Sequence, residues 1–167
     1  MNKLLALLLL LSSISSSARN VDSLKFAKKN SIQLEAGGHG YIYSLNYERI
    51  VFNKPKIKES IQFGITYYPK FLGFTDLWIF ASSNSIRTFG NHHFEIGIGI
   101  MSTIDIPKNL NNENVHLSWS PFLTGRIGYR YQKPEGKFLF RIGFTPMMVL
   151  RDFEFLPLAA ITFGKTF

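Results

Sequence analysis

The sequence predicts an all-β chain, an antiparallel up-and-down transmembrane β-barrel of eight strands. Three observations predict it. Apolar and non-apolar residues alternate with period two through most of the chain, turn residues separate the alternating segments, and a bulky apolar face opposes a face of glycines and charges.

The alternation is plainest in four segments. Phe94, Ile96, Ile98 and Ile100 alternate with Glu95, Gly97, Gly99 and Met101. Ile61, Phe63, Ile65 and Tyr67 alternate with Gln62, Gly64, Thr66 and Tyr68. Phe138, Phe140, Ile142 and Phe144 alternate with Leu139, Arg141, Gly143 and Thr145. Leu123, Gly125, Ile127, Tyr129 and Tyr131 alternate with Thr124, Arg126, Gly128 and Arg130. Successive side chains of a strand point to opposite faces, so each segment has one greasy side and one small or polar side. Turn chemistry at Asn53-Lys54-Pro55, Gly90-Asn91 and Lys133-Pro134-Glu135-Gly136 closes short connections. The connection from Ile106 to Val115 is longer and rich in asparagine.

Strands are expected near 31–38, 41–52, 58–69, 77–88, 93–105, 116–132, 137–149 and 155–167. The alternative is one long strand kinked at Gly37-Gly38, which leaves seven. Parity favours eight. Bacterial single-chain barrels use an even number, with short periplasmic turns and longer external loops. Eight strands with both termini periplasmic put 53–57, 89–92 and 133–136 on the periplasmic side and 106–115 outside.

The amino-terminal segment is an address rather than part of the fold. Met1-Asn2-Lys3 is charged, Leu4 to Leu11 is leucine with one alanine, and Ser12 to Ala18 is small and mostly polar. These are the three regions of a secretory signal, with cleavage expected after Ala18. The apolar run is far short of the roughly 20 residues a spanning helix needs. Residues 19–30 carry Lys25, Lys28 and Lys29 and read as a lead-in, and 31–167 as the barrel domain. No later stretch is apolar enough for a transmembrane helix, which leaves a periplasmic, secreted or outer-membrane destination.

Composition agrees. Hydrophobic residues make up 46% of the chain and aromatics 15%, yet mean hydropathy is close to zero. Apolar and polar residues are therefore finely mixed, not segregated into helical spans. The net charge of +8 is spread along the chain. It forms no basic run interleaved with aromatics, so a nucleic-acid partner is not expected, and it suits anionic lipid head groups. The absence of cysteine removes disulfides, Cys-ligated metals, a thiol nucleophile and a lipoprotein signal.

A membrane barrel turns its apolar face to lipid, whereas a soluble ligand-binding barrel turns it inward. The opposite face here carries glycines with Glu95, Arg126, Arg130 and Arg141. That set suits a narrow barrel filled by side chains, with Glu95 paired to Arg126 or Arg141 because buried charges need partners. The cluster is expected to be a structural plug rather than a gated pore. Tyr129 and Tyr131 end a strand just before a periplasmic turn, where amphipathic aromatics form an interfacial girdle.

The closing segment, Leu156 to Phe167, ends on phenylalanine and resembles the carboxy-terminal signal of outer-membrane β-barrels, which the barrel assembly machinery recognises. Ile161, Phe163 and Phe167 match its alternate apolar positions; Lys165 stands where an aromatic is usual. The segments Tyr43 to Arg49 and Gly125 to Tyr131 also resemble small outer-membrane barrels of the OmpA/OmpX-like kind. The resemblance implies eight strands, outer-membrane lipid as the surrounding partner, and no catalytic residues.

Candidate chemistry is sparse. His39, His92, His93 and His116 lack carboxylate or cysteine partners at ligand spacing, so no metal or other cofactor is expected. His92 and His93 are adjacent and point to opposite faces of a strand. Asp105, His116 and Ser118 flank the long loop and are the residues a lipid-modifying hydrolase or acyltransferase would use. The expected function is a non-enzymatic, monomeric outer-membrane barrel of a Gram-negative envelope, with a structural or surface-interaction role. The two rivals are the lipid-modifying enzyme and a soluble exported barrel that binds an apolar ligand.

Overall fold

The computed structural model describes residues 24–68, 76–105, 119–151 and 153–167. The segment 1–18, read as a signal, lies outside them, as do 106–118 with His116 and Ser118. The strands are β1 (Asn30–Gly37), β2 (Tyr43–Asn53), β3 (Ile57–Tyr68), β4 (Asp76–Phe89), β5 (His92–Asp105), β6 (Trp119–Gln132), β7 (Phe138–Phe144), β8 (Met147–Val149), β9 (Phe155–Leu156) and β10 (Ala159–Thr166). A 3-10 turn, Gly38–Gly40, lies between β1 and β2.

Every pairing is antiparallel, β1 closes on β10, β10 also pairs with β7, and β6 pairs with both β7 and β8. The ten segments make eight barrel strands. Phe144 of β7 faces Ile127, Met147 of β8 faces Thr124, and Gly125 between them donates its N–H to the Pro146 carbonyl at 2.9 Å. β7 and β8 therefore hold one register on β6. β9 and β10 likewise share one register, with Leu156 opposite Met147 and Ala159 opposite Phe144. The expected strands 137–149 and 155–167 are thus present but interrupted, at Pro146 and Pro157. Proline has no N–H to give the ladder, so the regular pattern lapses there and resumes in register.

The first two strands are separate, which fixes the count at eight. Gly37 and Gly38 take φ of 74° and 64°, a conformation open to glycine at little cost. Tyr41 follows at φ 63° and completes the reversal.

The registers also set the barrel's shape. From His92, successive cross-strand partners are Tyr131, Phe140, Phe163, Leu34, Leu45, Ile65, Ile79 and then Ser102, so one circuit returns to β5 ten residues further along. With ordinary strand rise and spacing, that stagger over eight strands requires a tilt of about 40° and a radius of about 8 Å. A tube so narrow holds side chains and little else.

The outward face is apolar over most of its area. Ile98 is 62% exposed and Ile100 66%, and Phe63, Phe163, Leu34 and Ile96 are similarly bare. The inward face carries Gln33, Glu35, Glu48, Gln62, Glu95, Arg126, Arg130 and Arg141, all buried. A soluble barrel that binds an apolar ligand requires the reverse, so that reading fails on the direction of the faces. Glycine makes room inside where large groups cross: a Cβ on Gly64 would strike the Phe80 ring and the Asn46 side chain. No described helix is long and apolar enough to cross a membrane, and any crossing is made by strands.

Candidate functional site

The barrel interior is built in three levels along its axis. The middle level is ionic. Arg141 on β7 pairs with Glu95 on β5 and donates to Gln33 at 2.7 Å and Gln62 at 3.0 Å. Arg130 on β6 pairs with Glu48 on β2 at 2.8 Å. Glu48 also accepts from Ser60 at 2.7 Å and Gln33 at 2.8 Å. Arg126 on β6 pairs with Glu35 on β1. Strands far apart around the circuit are thus tied across the tube. Charges removed from water need such partners and hydrogen bonds to be tolerated.

The four charged residues expected in the interior, Glu95, Arg126, Arg130 and Arg141, all point inward and are buried. Of the two pairings considered, Glu95 takes Arg141. Arg126 and Arg130 are neutralised by Glu35 and Glu48, which reasoning on the sequence did not single out. The signal for them was the parity of β1 and β2: Gln33 and Glu35 share one face, as do Ser44, Asn46 and Glu48.

The level at the Gly38–Gly40 end is mostly apolar. Phe80, Met101 and Met147 are buried together, with Trp78, Phe122, Leu156 and Leu158 packed against them. His39 folds in from the 3-10 turn, stacks on Phe80 with ring centroids 4.5 Å apart, and lies 3.0 Å from Glu35. Burial pushes the His39 imidazole below its ordinary pKa, against the pull of Glu35. The Tyr68 hydroxyl donates to the Gly40 carbonyl and pins the turn over this mouth.

The opposite mouth is stopped by the segment expected to be a mere lead-in. Phe26 is 2% exposed and clusters with Ile50 and Ile86. Its ring meets His93 edge-on at 5.1 Å, with Lys58 Nζ 4.6 Å from its centroid. Its backbone exchanges two hydrogen bonds with the Asn53 side chain, at 3.1 and 2.8 Å. A lone phenylalanine in a basic run has no period, so no pattern announces it. Phe26→Ala is expected to lower unfolding free energy by about 3 kcal/mol, read as an earlier midpoint in urea, while the folded form remains heat-modifiable on gels.

The remaining candidates among the described residues are dispersed. His92 points outward with its Nδ1 2.6 Å from the Tyr129 hydroxyl and its ring 5.5 Å from Tyr131. His93 points inward, and its Nε2 is 2.9 Å from the Gln132 carbonyl. The structure thus parts the two histidines as adjacent strand positions require. Phe163 faces outward in register with Leu34 and Phe140. Phe167 exchanges backbone hydrogen bonds with Asn30 at 2.9 and 3.1 Å, tying the chain's end to the start of β1. Of the enzyme candidates, Asp105 ends β5, and His116 and Ser118 lie outside the described residues.

No family model matches the chain, and no curated protein is similar to it in sequence. Its fold is similar to the N-terminal β-barrel domain of Pseudomonas aeruginosa OprF, with a TM-score of 0.57 at 10% identity, covering 86% of this chain and 99% of that one. It is also similar to the Yersinia pestis outer membrane protein Ail, with a TM-score of 0.50 at 10% identity, covering 84% and 99%. The chain therefore has the fold of the eight-stranded outer-membrane barrels that its sequence pattern resembles.

Proposed function

We propose that the protein is an exported, non-enzymatic barrel of a Gram-negative outer membrane, with a structural or surface-interaction role and no open pore. The filled interior carries this reading: ion pairs span the tube at mid-height, an apolar layer with His39 stops one end, and Phe26 stops the other. A tube filled in this way conducts nothing without dismantling buried charge pairs. The outward apolar surface, satisfied by lipid, supports the location.

On this reading the short connections, with Asn30 and Phe167, face the periplasm, and the Gly38–Gly40 end faces outward. Tyr129 and Tyr131 sit at the periplasmic interface, and Phe163 and Phe167 serve the assembly machinery. The barrel is monomeric and surrounded by lipid. Two measurements test it together. Cell fractionation is expected to recover a heat-modifiable protein in the outer membrane, and planar bilayers are expected to show no steady conductance. Recovery as a soluble periplasmic monomer would overturn the location, and sustained single-channel current would overturn the sealed interior.

A further inference from the structure

The lipid-facing surface is not uniform. Outward positions on β4 run Ile79, Ala81, Ser83, Ser85, Arg87, three small side chains in succession. The neighbouring strands carry Ile61 and Phe63 on one side and Ile96 and Ile98 on the other. Small residues between large ones leave a groove of about 520 Å³ at Ala81, Ser83 and Phe63, and a second of about 630 Å³ continues it past Ser85 and Ile98 to Pro146. The surface that both expose is mainly apolar, with Ser83 in each and Ser85 and Thr124 in the second.

The groove's end near the short connections is polar. Glu59 on β3 sits directly opposite Ser85 on β4, which donates to its carboxylate at 2.9 Å. Among the described residues this is the hydrogen bond Glu59 makes, and no described cation lies within ion-pair distance of it. Arg87 lies on the same outward row of β4, one step beyond Ser85, and is exposed. Arg49 faces outward on β2, on the far side of Glu59. A carboxylate flanked by guanidiniums on adjacent strands, beside a largely apolar groove, complements a zwitterionic head group with its chain attached.

We infer that this groove binds one membrane phospholipid bearing a phosphoethanolamine head group, with an acyl chain along Ala81 and Ser83, its ammonium on Glu59 and its phosphate on Arg87. The inference rests on the membrane-barrel reading above. Apolar contact alone cannot select a lipid here, because the surrounding tails are as apolar as the groove. Selection must come from shape and from the head group. A primary ammonium offers N–H donors to Glu59, a quaternary choline offers none, and a glycerol head group offers no positive charge.

The test uses the full-length folded protein in detergent, with phosphatidylethanolamine, phosphatidylcholine and phosphatidylglycerol of identical chains, and counts retained lipid by native mass spectrometry. The wild type is expected to favour phosphatidylethanolamine about fivefold, the scale of one exposed charge contact. Glu59→Gln is expected to remove that preference over phosphatidylglycerol. Ser83→Leu, which fills the groove, is expected to lower retention of all three. Equal retention of the three lipids by the wild type, or unchanged retention by Ser83→Leu, would overturn the site while leaving a heat-modifiable membrane barrel intact. A wild-type chain that never gives a heat-modifiable form in lipid would sink both readings.

Discussion

Arg141→Met is expected to lower unfolding free energy by about 4 kcal/mol, the scale of a buried ion pair broken from one side. Arg141 is fully buried and holds Glu95, Gln33 and Gln62 at once. The methionine fills much of the volume, so the loss is chiefly electrostatic: Glu95 is left charged in a tube whose neighbouring positions are glycine and packed side chains. Glu95→Gln alone strands the guanidinium instead, with its two glutamine contacts intact, and is expected to cost less. The double substitution discriminates. Removing both charges leaves no uncompensated ion, so the pair is expected to regain about 2 kcal/mol relative to the sum of the single effects. Urea unfolding in phospholipid vesicles, followed by tryptophan fluorescence and by gel mobility, measures all three. Strict additivity would mean that Glu95 and Arg141 do not act on one another.

The strands most legible in the sequence are those where the two faces differ most in kind. In β3, β5, β6 and β7, outward Phe, Ile and Tyr alternate with inward glycine and charge, and the expected limits fall within a few residues of the observed ones. β4 is different. Its inward face carries Phe80 and Ile86, and its outward face carries Ala81, Ser83 and Ser85, so hydrophobicity marks neither side. Only the register with β3 and β5 decides which way it faces.

The interior is legible in composition and only in part in pairing: the sequence leaves Glu95 two candidate arginines and names no partner for Arg130. Glu95 and Arg141 are 46 residues apart and Glu35 and Arg126 are 91 apart. Which acid meets which base depends on the stagger of the closed sheet, a property of the whole circuit. Phe26 lies beyond the reach of local reasoning for a related reason. Its burial is dictated by the mouth that Ile50, Ile86, Lys58 and His93 leave open, residues contributed by four different strands.

Ile98→Arg separates a barrel in lipid from one in water. Ile98 is outward on β5, 62% exposed, and opposite Gly125 on one side and Ser83 on the other. In water an arginine there would touch nothing new and change stability by a few tenths of a kcal/mol, as exposed substitutions do. In a bilayer the same side chain sits near the middle of the apolar belt, where arginine costs about 2–4 kcal/mol. The variant is therefore expected to fold in detergent, give a heat-modifiable band, and show a urea midpoint in vesicles well below that of the wild type. Arg87 provides the internal reference. It is already a cation on the outward face, two residues from the end of β4, where a long side chain reaches the interface. Arg87→Leu is accordingly expected to shift the midpoint little. A large penalty at position 98 with a small one at 87 locates the hydrocarbon against the barrel's height. Equal, small effects at both would mean that the Ile and Phe surface faces something other than lipid.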